Sequence, residues 1–382
     1  MQFSVICPIR SVMDYHARVL AQHGLLKGYF TGNRRGTQGI PGELTYLNPA
    51  FGLWTMATRR IFPGYAAEYL RAAAHPLFDR WAALDVEPGD HVISSYGYAN
   101  RCFTKARGGG GQTFLDAGNS HPTHFWEVIQ EEHKRWGVHR DPYPRHWYRQ
   151  GLKTVELTDY VMSPSHYVSS SFHARGFSEG QVLHLPYPVD ISVFEARREC
   201  VLPATPLRVV CTGSVSLRKG FPYLFEAMRL IRKERDAVLV LTDTIESSMK
   251  DILPRYSDVP VEWHSGMPHE QLAIHLKNCH VFALLSLEEG MARTALEAMA
   301  CGLPVVLTPN TGTADLVTPG INGEIVPIRD PAAAAAAILA CHERQLASGP
   351  PDNDSLRQDL SFETFRERLI FHLRRTGLVT PA

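Results

Sequence analysis

The chain has 382 residues, more than one hydrophobic core usually organises, so two domains are expected. Lysine plus arginine and aspartate plus glutamate each number 39, which leaves no global field to steer the protein to nucleic acid or to acidic membranes. With 44% hydrophobic and 20% charged residues, the composition is that of a globular protein.

The first residues, MQFSVICPI, lack the basic start of a signal peptide and run into Arg10, so they are predicted to form a first strand. Seven cysteines without a C-x-x-C pair favour a reducing compartment over a disulfide framework. The longest apolar run, residues 332–341, is too short to cross a bilayer. We expect a soluble cytoplasmic protein, and peripheral contact with the cytoplasmic face of the membrane is left open.

The first half of the chain alternates strand candidates with helical stretches, so residues 1–186 are predicted to form one Rossmann-like domain. Residues 187–206 are predicted to be a linker, because the segment 185–206 holds four prolines and has no periodicity. The predicted strands of this half are FSVICPI (3–9), HVISSY (91–96), QTFLDAG (112–118) and YVMSPS (160–165).

The second half, residues 207–361, is predicted to be a doubly wound α/β domain, because its strands are uniformly apolar, as parallel strands under helices are. The C-terminal helix in 362–382 is amphipathic and either closes this domain or crosses back to the first. Two such domains facing a central cleft would bind ligands in that cleft. The predicted strands are LRVVCT (207–212), AVLVLTD (237–243), VPVEWH (259–264), HVFALL (280–285) and LPVVLT (303–308).

The stretch EEGMARTALEAMACGLP at 288–304 carries two unusual carboxylates. Glu289 precedes a helix predicted to begin near Met291, where free N–H groups favour an anion such as a diphosphate. Glu289 is then either a simple N-terminal acid or an acceptor for sugar hydroxyls, and Glu288 is assigned to the first alternative. Glu297 lies within a nearly all-apolar helix and needs a partner, either Arg293 at i,i+4 or a ribose diol.

This stretch closely resembles the E-x7-E signature of the family 4 glycosyltransferases, which are retaining enzymes of the glycosyltransferase B-type fold. Three further segments resemble motifs of that family in the expected order. They are TGSVSLRKGFPYLFEA (212–227), HSGMPHEQL (264–272) and TGTADLVTPGINGEIVPIRDP (311–331). The resemblance implies an acceptor-side first domain and a second domain that binds a nucleotide-diphospho-sugar.

Carried over by position, the resemblance assigns Glu289 to the hydroxyls of the donor sugar and Glu297 to the ribose. The family has a histidine close to the anomeric carbon, and His121 is favoured over His124 as its match by position. The alternative is that His121 is a structural histidine. The donor-binding positions implied in this way are Arg218 and Lys219 for the diphosphate, the backbone of Gly290, Met291, Ala292 and Thr294 for sugar and phosphates, the backbone around Met267 for the base, and Glu297.

The sequence departs from the family in several places. Ser214 replaces a usual arginine, so Arg218 is expected to supply that charge, and Met291 and Ala292 fill the last two places of the usual E-G-F-G. The glycine pair that follows the first strand in the family is missing, which leaves Arg10 or Ser11 to face the donor phosphates.

The remaining candidate features are weaker. The tryptophans 126, 136 and 147 either line an acceptor groove or pack in the core. GGGG at 108–111 is interpreted as a turn before a strand rather than a phosphate loop. Asp352-Asn353-Asp354 has the letters of a metal motif, but no strand precedes it, so it is expected to be a solvated loop. No metal and no other cofactor is therefore expected.

The sequence predicts a metal-independent, retaining glycosyltransferase that moves a sugar to a saccharide or a lipid-linked glycan. No residue is an obvious enzymic nucleophile, which fits substitution on the face that the nucleotide leaves. The alternatives are a nucleotide-sugar epimerase or a phosphorylase of the same fold, or a non-catalytic nucleotide-sugar-binding subunit. The epimerase needs acid/base carboxylates and the phosphorylase a Schiff-base lysine, and neither signature is present.

Overall fold

The computed structural model describes residues 2–9, 11–62, 64–141, 143–189, 193–194, 203, 205–264 and 266–379. These residues form two parallel sheets, one in each half of the chain. The first sheet has seven strands in the order β3-β2-β1-β4-β5-β6-β7, and the second has six in the order β10-β9-β8-β11-β12-β13. The described chain therefore has the predicted architecture of two doubly wound α/β domains.

The nine predicted strands are all confirmed, and four were missed: β2, β3, β7 and β13. The first sheet consists of β1 (Phe3–Cys7), β2 (Leu26–Thr31), β3 (Thr45–Leu47), β4 (His91–Ser94), β5 (Thr113–Asp116), β6 (Tyr160–Ser163) and β7 (Val182–His184). The second consists of β8 (Leu207–Cys211), β9 (Ala237–Leu241), β10 (Val261–Trp263), β11 (Val281–Leu284), β12 (Val305–Leu307) and β13 (Gly323–Ile325).

Helices cover both faces of each sheet, so the strands at the centre of the second sheet are buried along their whole length. The helices of the first half are α1 (Met13–Gln22), α2 (Pro49–Ile61), α3 (Gly64–Ala82), α4 (Asn100–Gly108), α5 (Pro122–Arg135), α6 (Arg145–Glu156) and α7 (His166–His173). Those of the second half are α8 (Phe221–Ile231), α9 (His269–Lys277), α10 (Arg293–Ala300), α11 (Pro331–Ser348), α12 (Asp354–Asp359) and α13 (Phe362–Arg375).

The helix after β8 shows how the sequence sets local structure. Gly220 is in the left-handed region with φ 69°, and a methyl group there would overlap the carbonyl of Leu285, so only glycine fits this close approach. The apolar face of α8 is buried in the core of the second domain and consists of Phe221, Leu224, Phe225, Met228 and Ile231. The close approach of Gly220 to Leu285 thus places the start of α8 beside the end of β11.

The last helix, α13, packs on the first domain rather than on the second. The apolar face of this amphipathic helix, with Phe365, Leu369 and Leu373, is buried in one cluster with residues of β1 and α1. The His372 ring nitrogen Nε2 lies 2.8 Å from the backbone oxygen of His184 at the end of β7. Of the two alternatives for this helix, it takes the return to the first domain.

Most of the predicted linker, namely residues 190–192, 195–202 and 204, lies outside the described residues, and so do residues 380–382. The domain boundaries at 186, 206 and 361 stay predictions. Among the described residues, no helix is both long and apolar enough to cross a membrane.

Candidate active site between the two domains

The second sheet reverses its strand order between β8 and β11, and the two main sequence motifs follow these strands. Residues 212–220 leave the carboxyl end of β8, and residues 285–292 leave the carboxyl end of β11. In doubly wound sheets this switch point is where ligands bind. The fold therefore brings together two motifs that are about 70 residues apart in the sequence.

Arg218 and Lys219 meet Glu289 at this switch point. The Arg218 guanidinium nitrogen Nη1 donates to the Glu289 carboxylate at 2.9 Å and to the backbone oxygen of Glu288 at 2.7 Å. The Lys219 ammonium nitrogen lies 3.6 Å from the same Glu289 oxygen. Two cations thus flank the Glu289 carboxylate at the carboxyl ends of β8 and β11, where their charges could bind a diphosphate.

Glu289 is nearly buried, with 14% of its side chain exposed. Burial on its own raises the pKa of Glu289, but the charges of Arg218 and Lys219 outweigh burial and hold that pKa below its ordinary value. The backbone of Glu289 is fixed between the neighbouring loops by hydrogen bonds to Asn310 and Gly312. Glu289 is therefore an ionised acceptor whose backbone is held in place beside Arg218 and Lys219.

Glu297 lies in the middle of α10 and is only 4% exposed. No hydrogen bond or ion pair reaches its carboxylate from the described residues, and the predicted alternative of a close pair with Arg293 is not formed. Burial raises the pKa of Glu297 to about 7, and the charge of Arg293 offsets part of that rise. A buried acceptor of this kind is costly unless a ligand supplies donors, as a ribose diol would.

The start of α10 differs from the prediction by two residues. The helix begins at Arg293, so Met291 and Ala292 belong to the loop, and both are buried. The Met291 sulfur accepts from the backbone N–H of Tyr187 at 3.4 Å, and the Thr294 hydroxyl donates to the Thr212 carbonyl at 3.5 Å. These side chains contact protein, so the assignment of the loop backbone to sugar and phosphates stays a prediction.

Gly290 packs closely against the first domain. A methyl group at Gly290 would overlap the carbonyl of Gly118 in the first domain, and the Gly290 carbonyl accepts from the Ser165 hydroxyl at 2.7 Å. Met267 is half-buried just before α9. No hydrogen bond or ion pair between described residues joins Met267 to Glu289 or Glu297, so its assignment to the base stays a prediction.

Glu288 was wrongly assigned as a simple N-terminal acid. It is fully buried, and its carboxylate accepts from the Ser120 backbone N–H at 3.0 Å, the Ser120 hydroxyl at 2.9 Å and the Asn119 side-chain amide at 3.1 Å. These donors belong to the first domain and lie 168 to 169 residues away. No local pattern in the sequence could reveal such a contact.

His121 follows directly on this contact and caps α5. Its Nδ1 accepts from the Thr123 backbone N–H at 3.2 Å, and its ring packs edge-on against Phe172. Burial lowers the pKa of His121 to about 4, and the charges of Arg175 and His124 add to this effect. The ring is therefore neutral near pH 7 and carries its proton on Nε2, so it can act as a hydrogen-bond donor.

Other predicted features have clear positions. Arg10 lies outside the described residues, and the Ser11 hydroxyl accepts from the Met13 backbone N–H at the start of α1. The Ser214 hydroxyl donates to Glu246 at 2.8 Å. Asn353 is buried and donates to the Met299 carbonyl at 2.8 Å, so the expectation of a solvated 352–354 loop is wrong for its middle residue.

The three tryptophans have different surroundings. Trp126 stacks on Tyr148, and Trp147 packs with Phe125 and Tyr143. Trp136 contacts the second domain instead, because its ring packs against Tyr223 of α8 and its Nε1 donates to Glu132 at 2.7 Å. For Trp136 the contacts favour packing over an acceptor groove. Among the described residues, no group of three or more His, Cys, Asp or Glu side chains is arranged to hold a metal ion.

Comparisons with known proteins point to glycosyltransferases. Residues 206–344 match the family described as Glycosyl transferases group 1. The chain is 28% identical over 220 residues to the MMP alpha-(1->4)-mannosyltransferase of Mycolicibacterium hassiacum, covering 56% of this chain and 52% of that protein. It is 30% identical over 214 residues to the GDP-mannose-dependent alpha-(1-6)-phosphatidylinositol monomannoside mannosyltransferase of Mycolicibacterium smegmatis, covering 50% and 56%.

The chain thus spans about half the length of the curated relatives it matches. Among solved structures, it is similar to Anabaena HepE in complex with UDP and glucose, with a TM-score of 0.66 and 13% identity over 98% of this chain and 99% of that one. This likeness confirms the predicted fold of two Rossmann-like domains.

Proposed function

We propose that this chain transfers a sugar from a nucleotide-diphospho-sugar to a hydroxyl group of a saccharide or lipid-linked acceptor, because residues 206–344 match the family described as Glycosyl transferases group 1. The observation that carries the proposal is the meeting of Arg218 and Lys219 with Glu289 at the switch point of the second sheet. A cationic pair for the diphosphate and an ionised acceptor for sugar hydroxyls then stand side by side.

In the proposed reaction the bond between the anomeric carbon and the diphosphate oxygen breaks, and its electron pair leaves with the diphosphate. The acceptor hydroxyl oxygen bonds to the anomeric carbon on the same face and passes its proton to the departing oxygen. The configuration is thereby retained. Arg218, Lys219 and the start of α10 stabilise the negative charge that develops on the diphosphate, so the proposal needs no metal ion.

The comparisons suggest donors and acceptors to test. The names of the two curated relatives describe mannosyltransferases, one of which uses GDP-mannose and a phosphatidylinositol mannoside, and the HepE structure contains UDP and glucose. Guanine and uracil nucleotides, mannose and glucose are therefore the first choices. A polysaccharide or glycolipid precursor is the proposed class of acceptor.

The proposal is tested by thermal-shift titration with UDP, GDP, ADP and their sugars. Binding to the folded state alone stabilises it by about 2.7 kcal/mol at a hundredfold excess over Kd. Mass spectrometry then follows transfer or slow donor hydrolysis, and NMR of the product's anomeric proton reports the configuration. Product of inverted configuration contradicts retention, and loss of transfer in EDTA contradicts the metal-free reaction. Binding of a sugar nucleotide without any transfer or hydrolysis of its sugar would support the alternative of a non-catalytic subunit.

Helix α2 supports the proposal of peripheral membrane contact. Leu53, Met56 and Ile61 expose 61%, 63% and 68% of their surfaces, and the helix contains two arginines and no acidic residue. Apolar side chains with adjacent basic ones are typical of helices that lie in the lipid interface. A lipid-linked acceptor would be reached from this position.

Vesicle flotation tests this contact with phosphatidylcholine vesicles, with and without phosphatidylglycerol. The variant L53S/M56S/I61S should lose flotation and keep hydrolysis of the water-soluble donor. Its matched control is L84S/I274S/I321S, which changes residues exposed by 75%, 60% and 65% elsewhere on the surface. Equal flotation of both variants would contradict membrane contact through α2.

A further inference from the structure

Glu288 of the second domain makes a buried polar contact with the first domain that fixes how the two domains lie relative to each other. The Glu288 carboxylate is fully buried and accepts three hydrogen bonds from Asn119 and Ser120. One of its oxygens also lies 3.5 Å from the Arg218 guanidinium. A buried carboxylate is stable only when its acceptor sites are filled in this way, so separating the domains would leave it with a large desolvation cost.

Glu288 also lies between the two residues assigned to the donor sugar. It is directly followed by Glu289, and its partner Ser120 is directly followed by His121, which caps α5. The contact of Gly290 with Gly118 leaves no room for a side chain between the loops. One carboxylate therefore sets the separation of an acceptor group in the second domain and a donor group in the first.

Resting on the proposed function, we propose that Glu288 is a positioning residue, which registers the two domains so that His121 and Glu289 face the same sugar. It touches no substrate itself. Burial on its own raises the pKa of Glu288, and Arg218 and Ser120 reduce that rise by favouring the ionised form. The Arg218 guanidinium contacts both Glu288 and Glu289. Because Arg218 is also proposed to bind the diphosphate, the relative position of the domains is linked to the position of the diphosphate.

The test is the variant E288Q, which has the same shape but places an amide donor opposite the Asn119 amide or the Ser120 N–H. The expected result is a 10- to 100-fold loss of kcat, with donor KM and nucleotide Kd changed less than threefold. The double variant N119D/E288Q restores an acceptor opposite the new amide and should regain at least tenfold of kcat. The control E324Q breaks the pair with Arg344 inside the second domain and should keep wild-type kcat.

A kcat of E288Q within twofold of wild type would overturn the proposal, and so would parallel losses of kcat and nucleotide affinity. If E288Q fails to fold, as judged by its thermal unfolding, S120A removes only the hydroxyl donor and should lower kcat by a smaller factor at unchanged Kd. Wild-type transfer is measured first: its absence overturns this proposal together with the proposed function, whereas wild-type turnover with an equally active E288Q overturns this proposal alone.

Discussion

The loop before α10 and the body of that helix carry carboxylates of the same chemistry in opposite surroundings. Glu289 is flanked by two cations within 4 Å, and its pKa lies below the ordinary value. Glu297 is more deeply buried, at 4% exposure, has no hydrogen bond or ion pair from any described residue, and has a pKa raised to about 7. The protein thus supplies charged partners for the Glu289 carboxylate but, among the described residues, no hydrogen-bond donors for the Glu297 carboxylate.

This difference indicates two roles. A carboxylate whose charge is already balanced holds its position and its ionised state whether or not a ligand is present, which suits a group that orients a sugar during reaction. A carboxylate that lacks donors stores a free-energy cost, which a ligand with two hydroxyl groups would relieve on binding. Substituting each residue in turn therefore tests whether Glu289 and Glu297 have different roles.

The largest effect is expected for E289Q in the transfer reaction. Loss of the negative charge frees Arg218 and Lys219 and removes the strong acceptor for sugar hydroxyls, so kcat should fall by about 100- to 1000-fold, as for other preorganised electrostatic groups. Nucleotide affinity should stay within about threefold, because the two cations remain. Steady-state kinetics and calorimetry measure the two quantities. A large loss of nucleotide affinity would contradict the assignment of Glu289 to the sugar.

A smaller effect concerns stability against pH and involves Glu297. Because its folded pKa is raised from 4.5 to about 7, the folded state binds this proton more tightly than the unfolded state between those values. The contribution of Glu297 is therefore lost as pH rises through about 7, and the unfolding free energy should fall by about 3 kcal/mol between pH 5 and pH 8. In E297Q this component should be absent. Urea unfolding of wild type and E297Q at both pH values measures the difference. Identical pH dependence of the unfolding free energy in the two proteins would contradict a raised pKa of Glu297.

The smallest effect is expected for the residue that faces these carboxylates from the first domain. Asparagine also caps helices well, so H121N should keep α5 and the melting temperature within about 2 °C while removing the Nε2 donor. If that donor meets the sugar, kcat should fall about tenfold, the size of one neutral hydrogen bond. Unchanged kcat would identify His121 as a structural cap, the alternative left open by the sequence.

The sequence was sufficient for much of the architecture because its long apolar strands and its motifs are local signals. Three of the four missed strands, β3, β7 and β13, have only three residues each, too few to show a period. At the candidate site, Glu289, Glu297, Arg218 and Lys219 were predicted from motifs within one domain. Glu288 was not, because its partners lie in the other domain, and the position of α13 on the first domain depends on packing that an amphipathic stripe does not specify.

The central claim is that Glu297 binds the nucleotide and Glu289 the sugar, and calorimetry with a nucleotide-diphospho-sugar and its free nucleotide tests it most directly. The account predicts that E297Q weakens both ligands by about 10- to 100-fold, the value of hydrogen bonds to a charged group. It predicts that E289Q weakens only the sugar-bearing ligand. Equal losses for both ligands in both variants, or no loss in E297Q, would contradict it.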